Sequence, residues 1–247
     1  YLVGNPWAGV TPRMSAAPKI NAGRAFTKKQ WQLIGERVKS LPETPANRRL
    51  GVVLALLYTT GMRREELVTR KVSDLRWEQF DDGEGGWMLD VLGKGMKLRQ
   101  VPVPDPIMAL LQDYLRRRGL PEDPGNPANR DARLIGRADG QAGQSSGEKR
   151  EGDPKAGIGA STLYDQLKAF LTQTADELAS KSPNDADRLR MASLHWLRHT
   201  HGSHAIAAGV PVEVLKENLG HASIATTSIY VTTEMRRRHA ELSKLLQ

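Results

Sequence analysis

Leu194-His195-Trp196-Leu197-Arg198-His199-Thr200 decides how this chain is read, together with Leu219-Gly220-His221 downstream and Tyr230, nine residues beyond His221. At about 3.6 residues per turn, His195 and Arg198 share one helical face with His199 beside them. Leu194, Leu197, Ala205 and Ala208 form a separate apolar stripe, so the helix has a core side and a side bearing a guanidinium and two imidazoles. Helical patterning surrounds it, over residues 162–178, 185–192, 194–208, 212–219, 223–230 and 233–246.

Upstream, residues 121–159 are rich in Gly, Pro, Ser, Asn, Asp and charge, and read as a mobile polar insertion. Pro104-Asp105-Pro106 opens another helix, which ends by Gly119. Before it the pattern changes to short apolar runs, Leu75-Arg76-Trp77, residues 87–92 and residues 98–103. The turns Asp82-Gly83-Glu84-Gly85-Gly86 and Gly93-Lys94-Gly95 separate them, which predicts a small antiparallel sheet. Three helices precede it. The first is capped by Thr27 and carries Trp31, Ile34 and Val38; the second runs through Leu50, Val53, Leu54 and Leu57 to Thr59-Thr60-Gly61; the third starts near Met62 and bears Arg63, Glu66 and Leu67. The expected architecture is mainly α with a small antiparallel three-stranded β-sheet. Residues 1–22 read as a linker from an upstream domain, and 23–247 as one domain with the insertion at 121–159.

The 247 residues are 39% hydrophobic and 26% charged, ordinary values for a globular chain. Cysteine is absent, which excludes disulfides, thiol nucleophiles and thiolate metal sites and fits a reducing cytosol. The longest apolar run, residues 52–58, falls far short of the roughly 20 residues of a membrane helix, so no membrane partner is expected. The start, Tyr1-Leu2-Val3-Gly4, has no basic leader and no initiating Met, and reads as part of a longer protein. The net charge is +8, with clusters such as Arg63-Arg64, Arg116-Arg117-Arg118 and Arg236-Arg237-Arg238. A nucleic-acid footprint and a merely solvated basic surface both account for that charge.

Four patterns stand in order: Thr60-Gly61-Met62-Arg63 with Glu66, the turn lysine Lys94, His195-Trp196-Leu197-Arg198-His199, and Leu219-Gly220-His221 followed by Tyr230. Each alone is weak, but the set, spanning residues 25–240, resembles the catalytic domain of the tyrosine recombinases, with phage integrases and Xer-type recombinases nearest. The resemblance implies the tyrosine recombinase catalytic-domain fold and a site of Arg63, Lys94, His195, Arg198, His221 and Tyr230. It implies site-specific cutting and rejoining of double-stranded DNA through a 3′-phosphotyrosyl link at Tyr230, with no cofactor, metal or ATP. Two arginines suit this chemistry, because paired N–H donors fit the non-bridging oxygens where charge builds. Lys94 would protonate the leaving 5′-oxygen, His195 would take the phenol proton or bind phosphate, and His221 would hydrogen-bond the phosphate. Glu66 either orients Arg63 or pairs with Arg70, His199 supports the site from behind, and Lys97 and Arg99 either track DNA phosphate or form an exposed hairpin face. A homotetramer on DNA, linked through the C-terminal helix at 233–246, is also implied, in a bacterial cytoplasm or encoded by a phage or plasmid. The helical core-binding domain expected upstream is missing from this sequence, so DNA binding should be weaker than in a longer protein.

Rival readings are weaker. Five of the six histidines fall between His195 and His221, which invites a zinc site. But there is no H-E-x-x-H, and His201 and His204 read as helix-face or core residues. A type IB topoisomerase shares the arginine, lysine and tyrosine logic, but the interval from Leu219-Gly220-His221 to Tyr230 favours a recombinase. A DNA-binding module without chemistry would not need all six residues. Gly93-Lys94-Gly95 lacks the remainder of a Walker loop.

Overall fold

The computed structural model describes residues 24–93, 95–137, 153–221 and 227. The 1–22 linker, the helix predicted at 233–246 and nearly all of 223–230 lie outside them.

Helix α1 (Lys28–Lys39) begins as its sequence predicts: the Thr27 side chain accepts from the Gln30 N–H, and the Gln30 side chain accepts from the Thr27 N–H. Helix α2 (Pro45–Thr60) starts on Thr44 with proline in its first turn and stops at Gly61, which adopts the left-handed conformation at φ +63°. Leu50, Val52, Val53, Leu54, Leu56 and Leu57 are all buried, making α2 the central rod against which α7, α4, α1 and β3 pack. Each such side chain contributes about 1.5–3 kcal/mol by leaving water.

After short α3 (Arg64–Thr69) come β1 (Leu75–Gln79), β2 (Gly85–Leu92) and β3 (Leu98–Val103), antiparallel in the order β1-β2-β3. The register pairs Leu75 with Leu89, Trp87 with Val103 and Leu92 with Leu98. Leu75, Leu89, Val91, Val101 and Val103 form the buried face, while Leu98, Gln100 and Pro102 face outward. Then follow α4 (Asp105–Arg117), α5 (Ala160–Leu178), α6 (Pro183–Met191), α7 (Leu194–Ala207) and α8 (Val212–Leu219). The architecture is thus mainly α with one three-stranded antiparallel sheet.

The stretch read as a mobile insertion at 121–159 contributes several side chains to the core. Ala132, Leu134 and Ile135 are fully buried, and Ile158 nearly so. The Asn129 amide, also buried, donates to the carbonyls of Pro121 and Asp123. Two β-bridges, Lys71 with Arg133 and Gly136 with Gly157, tie the stretch to the body and to itself. The Arg118 guanidinium donates to the carbonyls of Arg133, Leu134 and Pro154, so α4 holds both strands of that neck. Only residues 138–152 lie outside the described structure.

Candidate active site

The site is assembled where α2, α3, β3, α7 and α8 end or meet. Gly61 turns the chain between α2 and α3, and a Cβ there would fall 2.6 Å from His201 Cδ2 and 2.7 Å from a Leu219 methyl. The close approach of α7 and α8, as well as the positive φ, therefore calls for glycine. The turn makes Arg63 the residue that caps α3, and Glu66 answers it twice: Oε2 accepts from the Arg63 N–H at 2.9 Å, and Oε1 pairs with Arg63 Nη1 at 2.9 Å.

Arg99 enters from the other side. It sits on β3 in phase with Val101 and Val103, so it points inward; its side chain is 11% exposed. Nη2 and Nη1 donate to Glu66 Oε2 and Oε1 at 2.8 and 3.2 Å, and Nε to the Asn218 carbonyl at 3.0 Å. The open choice for Glu66 resolves toward Arg63, and Arg99 leaves the exposed hairpin face. Arg70 bonds the backbone carbonyl of Glu66 and pairs with Asp74 instead. Burial pushes the Glu66 carboxyl up, but hydrogen bonds and charge from Arg99 and Arg63 outweigh it, and the net shift is downward.

Arg198 is buried on α7 and donates to the carbonyls of Gly61 and Leu219, at 2.7 and 2.5 Å, which fastens α7 to the ends of α2 and α8. Arg63, His195 and Arg198 line one cavity of about 160 Å³, shared with Met62, Arg64, Glu65, Tyr164, Ser193 and Leu194. His195 lies at its solvent edge, and its ring meets that of His199 edge-on at 5.6 Å. Burial, then the charges of Arg198 and Arg63, lower the His195 pKa. His199 is pushed down to about 4 by burial and by its neighbours His195 and Arg198.

His221 follows Gly220, the left-handed residue that ends α8. Its Nδ1 lies 2.9 Å from the hydroxyl of buried Thr227, and burial with Arg198 and Arg63 lowers it to about 4. Of the residues expected from sequence, Arg63, Glu66, Arg99, His195, Arg198, His199 and His221 are thus brought together. Lys97 stands exposed on the β2–β3 hairpin, and Lys94 and Tyr230 lie outside the described residues.

Four participants escaped the sequence reading. Arg64 places its guanidinium 5.4 Å from the Tyr164 ring centroid while Glu65 grips it. Arg24 bears electrostatically on His195 and His199. Asn218 accepts Arg99 on its carbonyl, and its amide donates to the Thr60 carbonyl and to His201 Nε2. Tyr164 and Arg24 sit in no motif; Asn218, two residues before Gly220, was findable by position alone.

His201 and His204 are spent on structure. His201 Nδ1 donates to the Tyr58 carbonyl at 2.7 Å; His204 Nε2 donates to the Phe26 carbonyl, and its Nδ1 accepts from the Tyr58 hydroxyl, both at 3.0 Å. Among the described residues no three His, Asp or Glu side chains are grouped to hold a metal ion, and no helix is long and apolar enough to cross a membrane.

A helical domain with a three-stranded sheet, bringing Arg63, Arg198 and His195 to one small cavity, has the form of a tyrosine recombinase catalytic domain. Residues 24–237 match the phage integrase family, and the chain belongs to it. The tyrosine recombinase XerD of Rickettsia conorii is 30% identical over 215 residues, covering 85% of this chain and 61% of the relative. XerA of Pyrococcus furiosus is 27% identical over 219 residues, covering 87% and 62%. The crystal structure of XerH recombinase bound to palindromic difH substrate, a post-cleavage complex, superposes with a TM-score of 0.61 at 20% identity over 92% of this chain and 54% of that one. The crystal structure of XerA recombinase gives 0.56 at 20% identity over 87% and 64%. These structures share the fold. The chain spans about three-fifths of the length of the curated relatives it matches.

Proposed function

We propose that this chain is the catalytic part of a site-specific DNA recombinase that cleaves and rejoins strands through Tyr230. The observation that carries the reading is the shared cavity of Arg63, Arg198 and His195, in which both guanidinium groups are held by hydrogen bonds before any ligand arrives. Preorganised cations at one point suit a phosphodiester whose non-bridging oxygens gain charge in the transition state. The Tyr230 phenol loses its proton to His195 and attacks phosphorus; an O–P bond to tyrosine forms and the bond to the 5′-oxygen breaks, with Lys94 delivering a proton there. A 5′-hydroxyl from another strand then reverses the step. One phosphoester replaces another throughout, so neither ATP nor a metal is needed.

Neutral His221 donates a hydrogen bond to the phosphate, and His199 buttresses His195. Lys97 meets a flanking phosphate, while Arg99 acts from inside, by holding Glu66 against Arg63. Double-stranded DNA is the partner. A tetramer joined through the segment at 233–246, acting in a bacterial, phage or plasmid setting, is part of the same reading.

The test uses the protein at the full length its gene encodes, mixed with a randomised duplex library in EDTA and stopped with detergent. Protein-linked DNA from wild type and none from Tyr230→Phe is the expected result, and the recovered DNA gives the target site. Adducts from Tyr230→Phe, or none from wild type at any salt concentration, would sink the assignment.

A further inference from the structure

The cavity proposed to hold a phosphate is lined in part by a carboxylate. Among the described residues around it Glu65 is the one acid, in company with Arg63, Arg64, Arg198, His195 and Tyr164. An acid there repels an anionic substrate, and does so more strongly than it would in open water. Helix chemistry alone does not place it. Acids suit the first turn of a helix, but in α3 Glu66 already serves that end by accepting from the Arg63 N–H. Glu65 is 63% exposed and could turn away from the cavity, yet its neighbours hold it. Arg64 Nε and Nη2 donate to Glu65 Oε1 at 2.9 and 2.5 Å, and the same guanidinium is seated 5.4 Å from the ring centroid of Tyr164 on α5. Both bonds fall on Oε1, so Oε2 stays outside the clamp.

His195 is the group that such an acid serves. On taking up a proton it becomes a cation in the same cavity as Arg63 and Arg198. Burial foremost, then Arg198 and Arg63, lower its pKa; Arg24 acts in the same direction, and Glu65 acts in the opposite one. The influence is mutual. Burial pushes the Glu65 carboxyl up, but its own backbone N–H, Arg64 and the charge of His195 outweigh it, so the carboxyl is ionised at neutral pH. The neighbouring groups bring no comparable charge. His199, whose ring meets His195 edge-on at 5.6 Å, is held at about 4 by burial foremost and is therefore neutral. Glu66 is committed to Arg63 and Arg99, and Tyr164 faces Arg64.

We propose that Glu65 is a positioning residue for the proton transfer: its carboxylate is the counter-charge that stabilises His195 as an imidazolium, and Arg64 and Tyr164 hold it in place. In the forward step the phenol proton moves to a ring nitrogen of His195 as the phenol oxygen bonds to phosphorus and the bond to the 5′-oxygen breaks. Glu65 takes no proton and acts through His195 alone. In the reverse step the proton returns to the phenol and the ring is neutral again. The proposal rests on the recombinase reading, in which His195 accepts that proton, and adds the group that raises its basicity against three arginines.

The experiment uses the full-length protein with its histidines carbon-13 labelled at Cε1, the His195 signal being assigned by its loss in His195→Gln. Glu65→Gln keeps the side-chain shape and removes the charge, so the His195 titration midpoint should move to lower pH, and Glu65→Asp should stay nearer wild type. The difference should shrink as salt rises, because the pair stands at the solvent edge. Cleavage is read in parallel, as the single-turnover rate of protein–DNA adduct formation on the duplex that the library experiment recovers. In Glu65→Gln the acid limb of the rate profile should shift to lower pH, and the rate at neutral pH should fall roughly three- to tenfold as the general base weakens. A fall in rate with the His195 midpoint and the acid limb both unmoved would reduce Glu65 to an anchor for Arg64 and overturn the proposal. A faster variant would overturn it too, by showing that the carboxylate only repels the phosphate. A wild type that forms no adduct takes down the recombinase reading and the proposal together, whereas a wild type that cleaves no differently from Glu65→Gln sinks the proposal alone.

Discussion

Glu66 holds two guanidinium groups on one carboxylate, and its loss should be felt beyond its own contacts. Removing one partner of a buried ion pair costs about 3–5 kcal/mol, and because Arg63 is partly exposed the lower figure applies. Glu66→Ala should therefore lower the melting temperature by roughly 10 °C, and Glu66→Gln by less, since the amide oxygen still accepts from one arginine. Its pKa is depressed in the fold, so its stabilisation is full above the ordinary carboxylate range and is lost as pH falls through the folded value. The histidines act in a higher window. His199, His201 and His221 are held at about 4 by burial foremost, against about 6.5 in an unfolded chain. Between those values the unfolded chain takes up protons that the folded one refuses, so stability present above pH 6.5 drains away toward pH 4. Urea titrations across that range should show falling stability. His201→Gln should flatten the fall by about 1.4 kcal/mol per pH unit, one proton's worth; an unchanged slope would mean that His201 titrates alike in both states.

At the scale of elements, the helices and strands were readable wherever apolar spacing and end signals agreed. Thr27 and Gln30 cap α1, Gly61 and Gly220 close α2 and α8, and the alternation of Leu98 to Val103 defines β3. That alternation also held the evidence against an exposed Arg99, because the arginine is in step with Val101 and Val103. Residues 121–137 and 153–159 were misread for a physical reason. Their share of the core is a few apolar side chains scattered among polar ones, and their anchors are side chains reaching backbone carbonyls, which leave no period. The neck so formed yields a prediction. Arg133 N–H donates to the Lys155 carbonyl, Ile158 N–H to the Ile135 carbonyl, and Gly136 pairs with Gly157, so the ends of 138–152 are already joined. Replacing 138–152 with a short Gly-Ser turn should leave thermal stability close to wild type. Arg118→Ala, which removes three bonds to carbonyls, should cost about 2 kcal/mol. A deletion more harmful than the arginine variant would show that the replaced residues carry structure of their own.

Across the whole molecule, the order of the motifs announced the site, but their meeting depends on contacts that sequence spacing hides. Residues 25 and 26 are fastened to α6 and α7: Phe26 N–H donates to Thr200 Oγ1 and its carbonyl accepts from His204, both on α7, and Arg188 on α6 donates to the Ala25 carbonyl. This brings Arg24 to the face of α7 that bears His195 and His199, a placement no local pattern encodes. Charge is distributed in the same selective way. The net +8 suggests a broadly positive surface, yet Arg37, Arg48, Arg116, Arg117 and Arg190 are each engaged by a carboxylate away from the cavity. Cations grouped about the cavity include Arg24, Arg63 and Arg198, with Lys94 and Lys97 joining them in the recombinase reading. Because Arg63 and Arg198 share one phosphate, about four neutralised phosphates give a slope of about −3.6 for log affinity against log salt. Lys97→Gln should make that slope shallower by about 0.9, whereas Arg117→Gln, whose guanidinium already lies 2.7 Å from Asp113, should leave it unchanged. Equal changes from the two variants would mean that the chain's overall field, and not the group around Arg63 and Arg198, binds the duplex.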